Sequence, residues 1–196
     1  LVAADDPETG RMMTDVEIID NLMTFITAGH ETTALGLAWT FDLLARHPEC
    51  EARVVAEIDE VTRGAEVTSE HIAQLHYTRQ VFSEAMRLYP PAPIITRTAL
   101  EEFTLGDYRV PEGTVMFVPI YAVHNHADIW NEPAKFDPDR FLPEAAKARH
   151  RYAYMPFGAG PRVCIGNTFA VMEAVAILSV LLQKLRLKAS GATPEP

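Results

Sequence analysis

The sequence predicts an α-rich α+β fold, in which helices dominate beside a small, mostly antiparallel sheet and a long meander. Three observations carry this. A capping box, Thr14-Asp15-Val16-Glu17, opens an apolar stretch that reaches Arg46 without a proline. β-rich segments cluster between Pro90 and Pro119, around a Gly106-Asp107 turn signal. A loop with three glycines and a proline (157–166) then leads into a second apolar run, Ile165 to Leu182.

Size and composition bound the function. The 196 residues suffice for one domain with a sizeable core. Hydrophobic residues at 48% and charged residues at 22% give an ordinary globular balance. A net charge of −10 argues against a nucleic-acid partner. Two cysteines, Cys50 and Cys164, make no disulfide framework, so a reducing, cytoplasmic setting is expected. The start, Leu1-Val2-Ala3-Ala4-Asp5-Asp6, has neither the basic region nor the apolar core of a signal peptide. It also lacks Met, and the sequence reads as beginning mid-protein. There is no internal repeat.

After a polar, turn-rich beginning (1–13), the first helix is expected from Thr14 to about Arg46, stopped by His47-Pro48. It spans on the order of 48 Å. Besides His30, only Glu31 and Asp42 are acidic or basic between Leu22 and Ala45. Such a helix is expected to be buried. A membrane span is disfavoured because Glu31 falls at its middle. The centre, Thr27-Ala28-Gly29-His30-Glu31-Thr32-Thr33, breaks helical rules. Gly29 costs about 1 kcal/mol against Ala. Thr32 and Thr33 can bond back to the carbonyls of Ala28 and Gly29 and bend the helix. Gly29 leaves room for a flat ligand near the backbone. Glu31 and Thr32 set an acid beside a hydroxyl, a pair able to pass protons.

Pro48 opens a charged amphipathic helix that ends near Arg63-Gly64, with Cys50 as a bystander near its start. A short helix follows at about Ser69–Leu75. The next, His76 to Leu88, sets Glu84 and Arg87 on one face. Read alone, that is a surface pair worth roughly 0.2–0.5 kcal/mol. Strands follow at Ile94–Thr98, Phe103–Leu105, Tyr108–Val110 and Thr114–Pro119. Residues 121–151 read as a meander punctuated by Pro133, Pro138 and Pro143. Its histidines, His124, His126 and His150, lack metal-ligand spacing and are expected to be solvated or capping. Lys147-Ala148-Arg149-His150-Arg151 is a basic cluster in an acidic chain. It is either a solvated helix end or a docking patch for an acidic electron donor. A frayed tail, Gly191 to Pro196, closes the chain.

Cys164 sits where the glycine-rich loop enters the last helix. Free amide N–H groups there suit an anionic sulfur ligand for a metal that prefers a soft donor. A buried, inert cysteine is the alternative, but it needs neither three glycines nor the cation Arg162 beside it.

Phe157-Gly158-Ala159-Gly160-Pro161-Arg162-Val163-Cys164-Ile165-Gly166 matches Phe-Gly-x-Gly-x-Arg-x-Cys-x-Gly at every fixed position. This resembles the haem-binding loop of the cytochrome P-450 family, in which a Cys thiolate holds haem iron. Ala28 to Thr33 resembles that family's oxygen-activating motif, and Glu84-x-x-Arg87 its Glu-x-x-Arg motif. Pro138-Asp139-Arg140-Phe141 resembles the later Pro-x-Arg-Phe segment, with Asp where Glu is more usual. The motifs come in family order from Thr14 to about Leu187.

The resemblance implies the C-terminal half of the cytochrome P-450 fold, so that residues 1–196 form a single partial domain. It implies haem b as cofactor, with Cys164 as the metal ligand. Gly29, Phe157, Gly158, Arg162, Gly166 and Arg97 would surround the haem, Arg97 and Arg162 at its propionates. Glu31 and Thr32 would deliver protons. Glu84, Arg87 and Arg140 would form a structural ion network. The Ala92–Thr96 stretch would line a pocket for a small organic, hydrophobic substrate. An electron donor such as a ferredoxin, flavodoxin or flavin reductase is implied, with no nucleic acid and no membrane segment. The implied reaction is monooxygenation. The competing expectation is a non-catalytic haem-binding module, or a truncated product without haem.

Overall fold

A computed structural model describes residues 8–192. Most of the polar start (residues 1–7) and the end of the tail (193–196) lie outside the described residues.

The first helix, α1 (Asp15–Arg46), begins as its capping box dictates. Thr14 Oγ1 accepts from the Glu17 amide at 3.3 Å, and Glu17 Oε2 accepts from the Thr14 amide at 2.8 Å. That backbone bond, with help from Arg11, holds the Glu17 carboxyl down at about 2. Helix α1 runs unbroken through its unfavourable centre. Thr32 Oγ1 does bond back to the Ala28 carbonyl, at 2.7 Å, whereas Thr33 is buried.

The expected burial of α1 is corrected. Only its second half is covered, from Thr33 through Gly36, Leu37, Thr40, Leu43 and Leu44. Val16, Ile19, Met23, Phe25 and Ile26 stand exposed. Apolar sequence fixes that a surface gains from being covered, not what covers it. No residue of α1 before Thr33 is buried.

The next helices are α2 (Pro48–Thr62), α3 (Ser69–Ile72) and α4 (His76–Leu88), with bounds close to expectation. The last helix among the described residues is α7 (Asn167–Leu182). The core lies between α1, α2, α4 and α7, around Leu44, Val54, Ile58, Phe82, Val175 and Leu178. Gly36 lets α1 approach α4. A Cβ there would stand 3.3 Å from Phe82 Cε2, tighter than an ordinary contact. Glu57 of α2 caps α4 from outside. Its carboxylate accepts from the amides of Tyr77 (2.6 Å) and Thr78 (2.8 Å), satisfying donors that α4 leaves open. The apolar run 165–182, which reads as a buried helix in the sequence, is only partly covered, since Phe169, Met172 and Val180 are exposed.

In place of one small sheet there are two. β1 (Ile95–Thr98) pairs antiparallel with β4 (Val115–Val118), and β2 (Phe103–Leu105) with β3 (Tyr108–Val110). The hairpin at Gly106 satisfies its ladder locally, so it need not join the other pair.

The meander is less irregular than its prolines predict. It contains α5 (Ile120–His124), a 3₁₀ turn (Pro138–Phe141) and α6 (Pro143–Ala148). Two of its histidines cap turns: His126 Nδ1 accepts from the Asp128 amide and His150 Nδ1 from the Tyr152 amide. His124 corrects the expectation, being fully buried. It closes α5 one turn after the buried Ile120, on the same inward face of the helix. Among the described residues, no helix is long and apolar enough to cross a membrane.

Candidate active site

Glu84 and Arg87 share one face of α4 and are 0% exposed. Arg87 Nε and Nη2 donate to the two Glu84 oxygens at 2.7 and 2.8 Å, a bidentate fork. The spare Arg87 nitrogen donates to the His124 carbonyl at 2.8 Å. Glu84 Oε1 also accepts from the Asp137 amide at 3.0 Å. Burial pushes the Glu84 carboxyl up, against the opposing pull of Arg87, the Asp137 amide and Arg140. Arg140 Nε stands 3.4 Å from Glu84 Oε1. That is close enough for attraction, yet the nitrogen makes no aligned hydrogen bond. Arg140 is held instead by the Glu132 carbonyl, at 3.0 Å. Read alone, the pair was a surface feature, and burial makes it a structural one.

Asp139 binds Arg53 of α2 through two bonds, at 2.7 and 3.0 Å. Arg53 holds the Asp139 carboxyl below its usual range. The short Asp side chain thus tethers the meander to α2.

The Cys loop follows. The Cys164 amide donates to the Phe157 carbonyl at 2.9 Å and closes it. Gly158 (φ +74°) and Gly160 (φ +75°) hold left-handed backbone that other residues resist. Phe157 packs against the core. A Cβ on Gly158 would meet Ile95 Cδ1 at 3.7 Å, so the loop rests beside β1, the strand that carries Arg97. Arg162 ends a 3₁₀ turn (Gly160–Arg162) and is exposed. Cys164 lies just ahead of α7, with its side chain exposed rather than buried as an inert thiol.

Gly29, Glu31 and Thr32 lie on the exposed part of α1. A Cβ at Gly29 would meet nothing within 4 Å. Arg97 donates to the carbonyl of its neighbour Thr96, at 2.7 Å. The structure therefore brings Glu84, Arg87 and Arg140 together, and sets the Cys loop against β1. Two surface grooves lie along α2 and the stretch after α7, and neither is lined by a predicted site residue.

The basic cluster is divided. Arg149 packs over the Trp130 ring at 4.1 Å and donates to the Arg140 carbonyl, so it belongs to the interior. Lys147 and Arg151 remain exposed. Sequence reasoning missed Glu57, Trp130 and the interior role of Arg149. Trp130 carried a faint signal as a large ring inside a polar, proline-rich stretch.

These residues suit haem. The sulfur is accessible, Gly29 and Gly160 border open space, and Ile165 and Phe169 leave apolar surface for a flat ring. Comparison with known proteins agrees. The family model described as Cytochrome P450 matches residues 1–196. The chain is 43% identical to a cyclooctat-9-en-7-ol 5-monooxygenase of Streptomyces melanosporofaciens, over 96% of this chain and 41% of that protein. It is 41% identical to a pentalenene oxygenase of Streptomyces avermitilis, over 95% of this chain and 41% of that one. A cytochrome P450 crystal structure superposes with a TM-score of 0.91 at 33% identity, covering 98% of this chain and 44% of that one. The P450DA heme domain superposes at 0.89 with 39% identity, covering 93% and 41%. The chain belongs to the cytochrome P450 family, whose cofactor is haem b. It spans about two-fifths of the length of the curated relatives it matches.

Proposed function

We propose that this chain carries the haem-binding and proton-delivery portion of a haem-thiolate monooxygenase that acts on an apolar organic substrate. The observation that carries the reading is the accessible Cys164 sulfur in a loop closed by the Phe157 carbonyl and turned by two left-handed glycines. Cys164 would hold the iron, and Arg97 and Arg162 would hold the propionates by their forked donors. Phe157, Gly158 and Gly166 would shape the ligand side, with Gly29 leaving room opposite. When bound, haem supplies oxygen activation, placing one oxygen atom in the substrate and the other in water, with two electrons from a donor. Glu31 and Thr32 would together relay protons, Thr32 Oγ1 releasing its own proton as it takes up another. Donating to the Ala28 carbonyl orients that hydroxyl and leaves its oxygen free to accept.

The relatives' names, a cyclooctat-9-en-7-ol 5-monooxygenase and a pentalenene oxygenase, support an apolar substrate. So do the apolar side chains of residues 92–94, just before β1. Exposed Lys147 and Arg151 support docking of an acidic electron donor such as a ferredoxin or flavodoxin.

The test is the absorbance difference spectrum of the reduced, CO-bound, haem-loaded protein, with Cys164→Ser beside it. A strongly red-shifted Soret band, lost in Cys164→Ser, is expected. A folded, haem-replete protein without that band would sink the reading. In the active protein, Thr32→Ala is expected to uncouple electron use from product, lowering product per electron consumed. Unchanged coupling would remove Thr32 from proton delivery.

A further inference from the structure

His124 is the buried titratable group that the proposed chemistry leaves unused. It makes contacts in two directions. Its backbone carbonyl accepts from Arg87 Nη1 at 2.8 Å, and its ring Nε2 accepts from the Met155 amide at 2.9 Å. Its ring stacks on Tyr154, with centroids 5.3 Å apart. Tyr154 in turn donates to the Ser83 carbonyl of α4 at 3.0 Å. Met155 opens the Cys loop, because its own carbonyl accepts from the Gly158 amide at 3.0 Å. One residue thus joins the Glu84–Arg87 pair to the first turn of the segment that presents Cys164.

The bond has a direction. An amide N–H can only donate, so Nε2 is the acceptor and the ring proton resides on Nδ1. Nδ1 is buried and makes no aligned hydrogen bond, although the backbone of Arg87 and Met86 lies close enough to the ring to favour its charged form. Leaving a polar atom so placed is unfavourable. An apolar ring would fill the same volume without that penalty. The imidazole is therefore explained by the acceptor it offers to Met155, not by packing.

We propose that His124 is a positioning residue for the Cys164 loop: its Nε2 fixes the Met155 amide, while its carbonyl ties the loop to Arg87 of the buried ion pair. The value of this placement to the chemistry rests on the haem-thiolate reading of Cys164. The bond itself does not.

The test compares haem-loaded wild type with His124→Phe and His124→Gln. Phe keeps a ring but removes the acceptor. Gln places a carbonyl oxygen near the position of Nε2. Amide hydrogen exchange across 155–164 is expected to quicken about tenfold in His124→Phe, the scale of one lost buried bond, with α2 unchanged. The fraction of protein giving the thiolate-type CO band should fall with it. His124→Gln should restore most of both. Unchanged exchange across 155–164 in His124→Phe would overturn the proposal. So would equal quickening in the core of α2, or a Gln variant no better than Phe, since either describes a packing residue. Wild type without the thiolate band would overturn the Cys164 reading alone, and the exchange comparison would still decide His124.

Discussion

Glu84 is a fully buried carboxylate on which several interior polar contacts converge. It accepts from both arms of Arg87 and from the Asp137 amide, and it attracts Arg140. Replacing it by Ala leaves Arg87 charged at a position with no solvent access. Glu84→Ala is expected to lower stability by about 3–5 kcal/mol, read as a fall in the urea midpoint. Arg87→Lys should not rescue the site, because a point ammonium cannot span both carboxylate oxygens. By contrast, Arg53–Asp139 is half exposed on both sides and is worth no more than about 1 kcal/mol. The same charge types thus differ severalfold in effect, and burial decides which wins.

At the scale of elements, α4 depends on a cap that its own sequence lacks. Leu75 precedes it and offers no side-chain cap, so Glu57 satisfies its first amides across a gap of 20 residues. Glu57→Ala is expected to cost about 2 kcal/mol and to raise exchange at the amides of Tyr77 and Thr78. Helix α1 is capped locally, and Thr14→Ala should cost about 1 kcal/mol. That loss belongs to its first turn and is best read from exchange near residues 15–18. Helix α2 closes on Arg63 in a left-handed conformation (φ 53°). Arg63→Gly should raise the melting temperature, because glycine adopts that backbone without strain.

For the molecule as a whole, pH acts through the buried imidazole and, in the opposite sense, through Glu84, whose carboxyl burial pushes up. Burial pushes His124 from 6.5 down to about 4. Between those values the unfolded chain binds a proton that the folded chain excludes. The imidazole's contribution to stability is therefore full above about pH 6.5 and falls as pH drops toward 4, by up to about 3 kcal/mol. Asp139, held low by Arg53, adds loss in the same direction only below its ordinary value of 3.8, outside this window. Denaturant midpoints at pH 7 and pH 4.5 check this. His124→Gln should flatten the difference, and an unaltered slope would assign it to other groups.

Local rules were legible because their partners are neighbours in sequence. Thr14 and Glu17, the Gly106 turn, the helix bounds at Pro48 and Leu88, and the left-handed glycines of the Cys loop all follow from contacts a few residues apart. The site motifs were legible for the same reason, since each is a short string whose spacing carries its geometry. What the tertiary structure alone decided depends on distance across the fold. The Glu84–Arg87 pair became buried, His124 turned from solvent to the interior, and Arg149 settled on Trp130. The exposed halves of α1 and α7 belong here too. Hydrophobic sequence states that burial is favourable, and only packing determines which surface meets which.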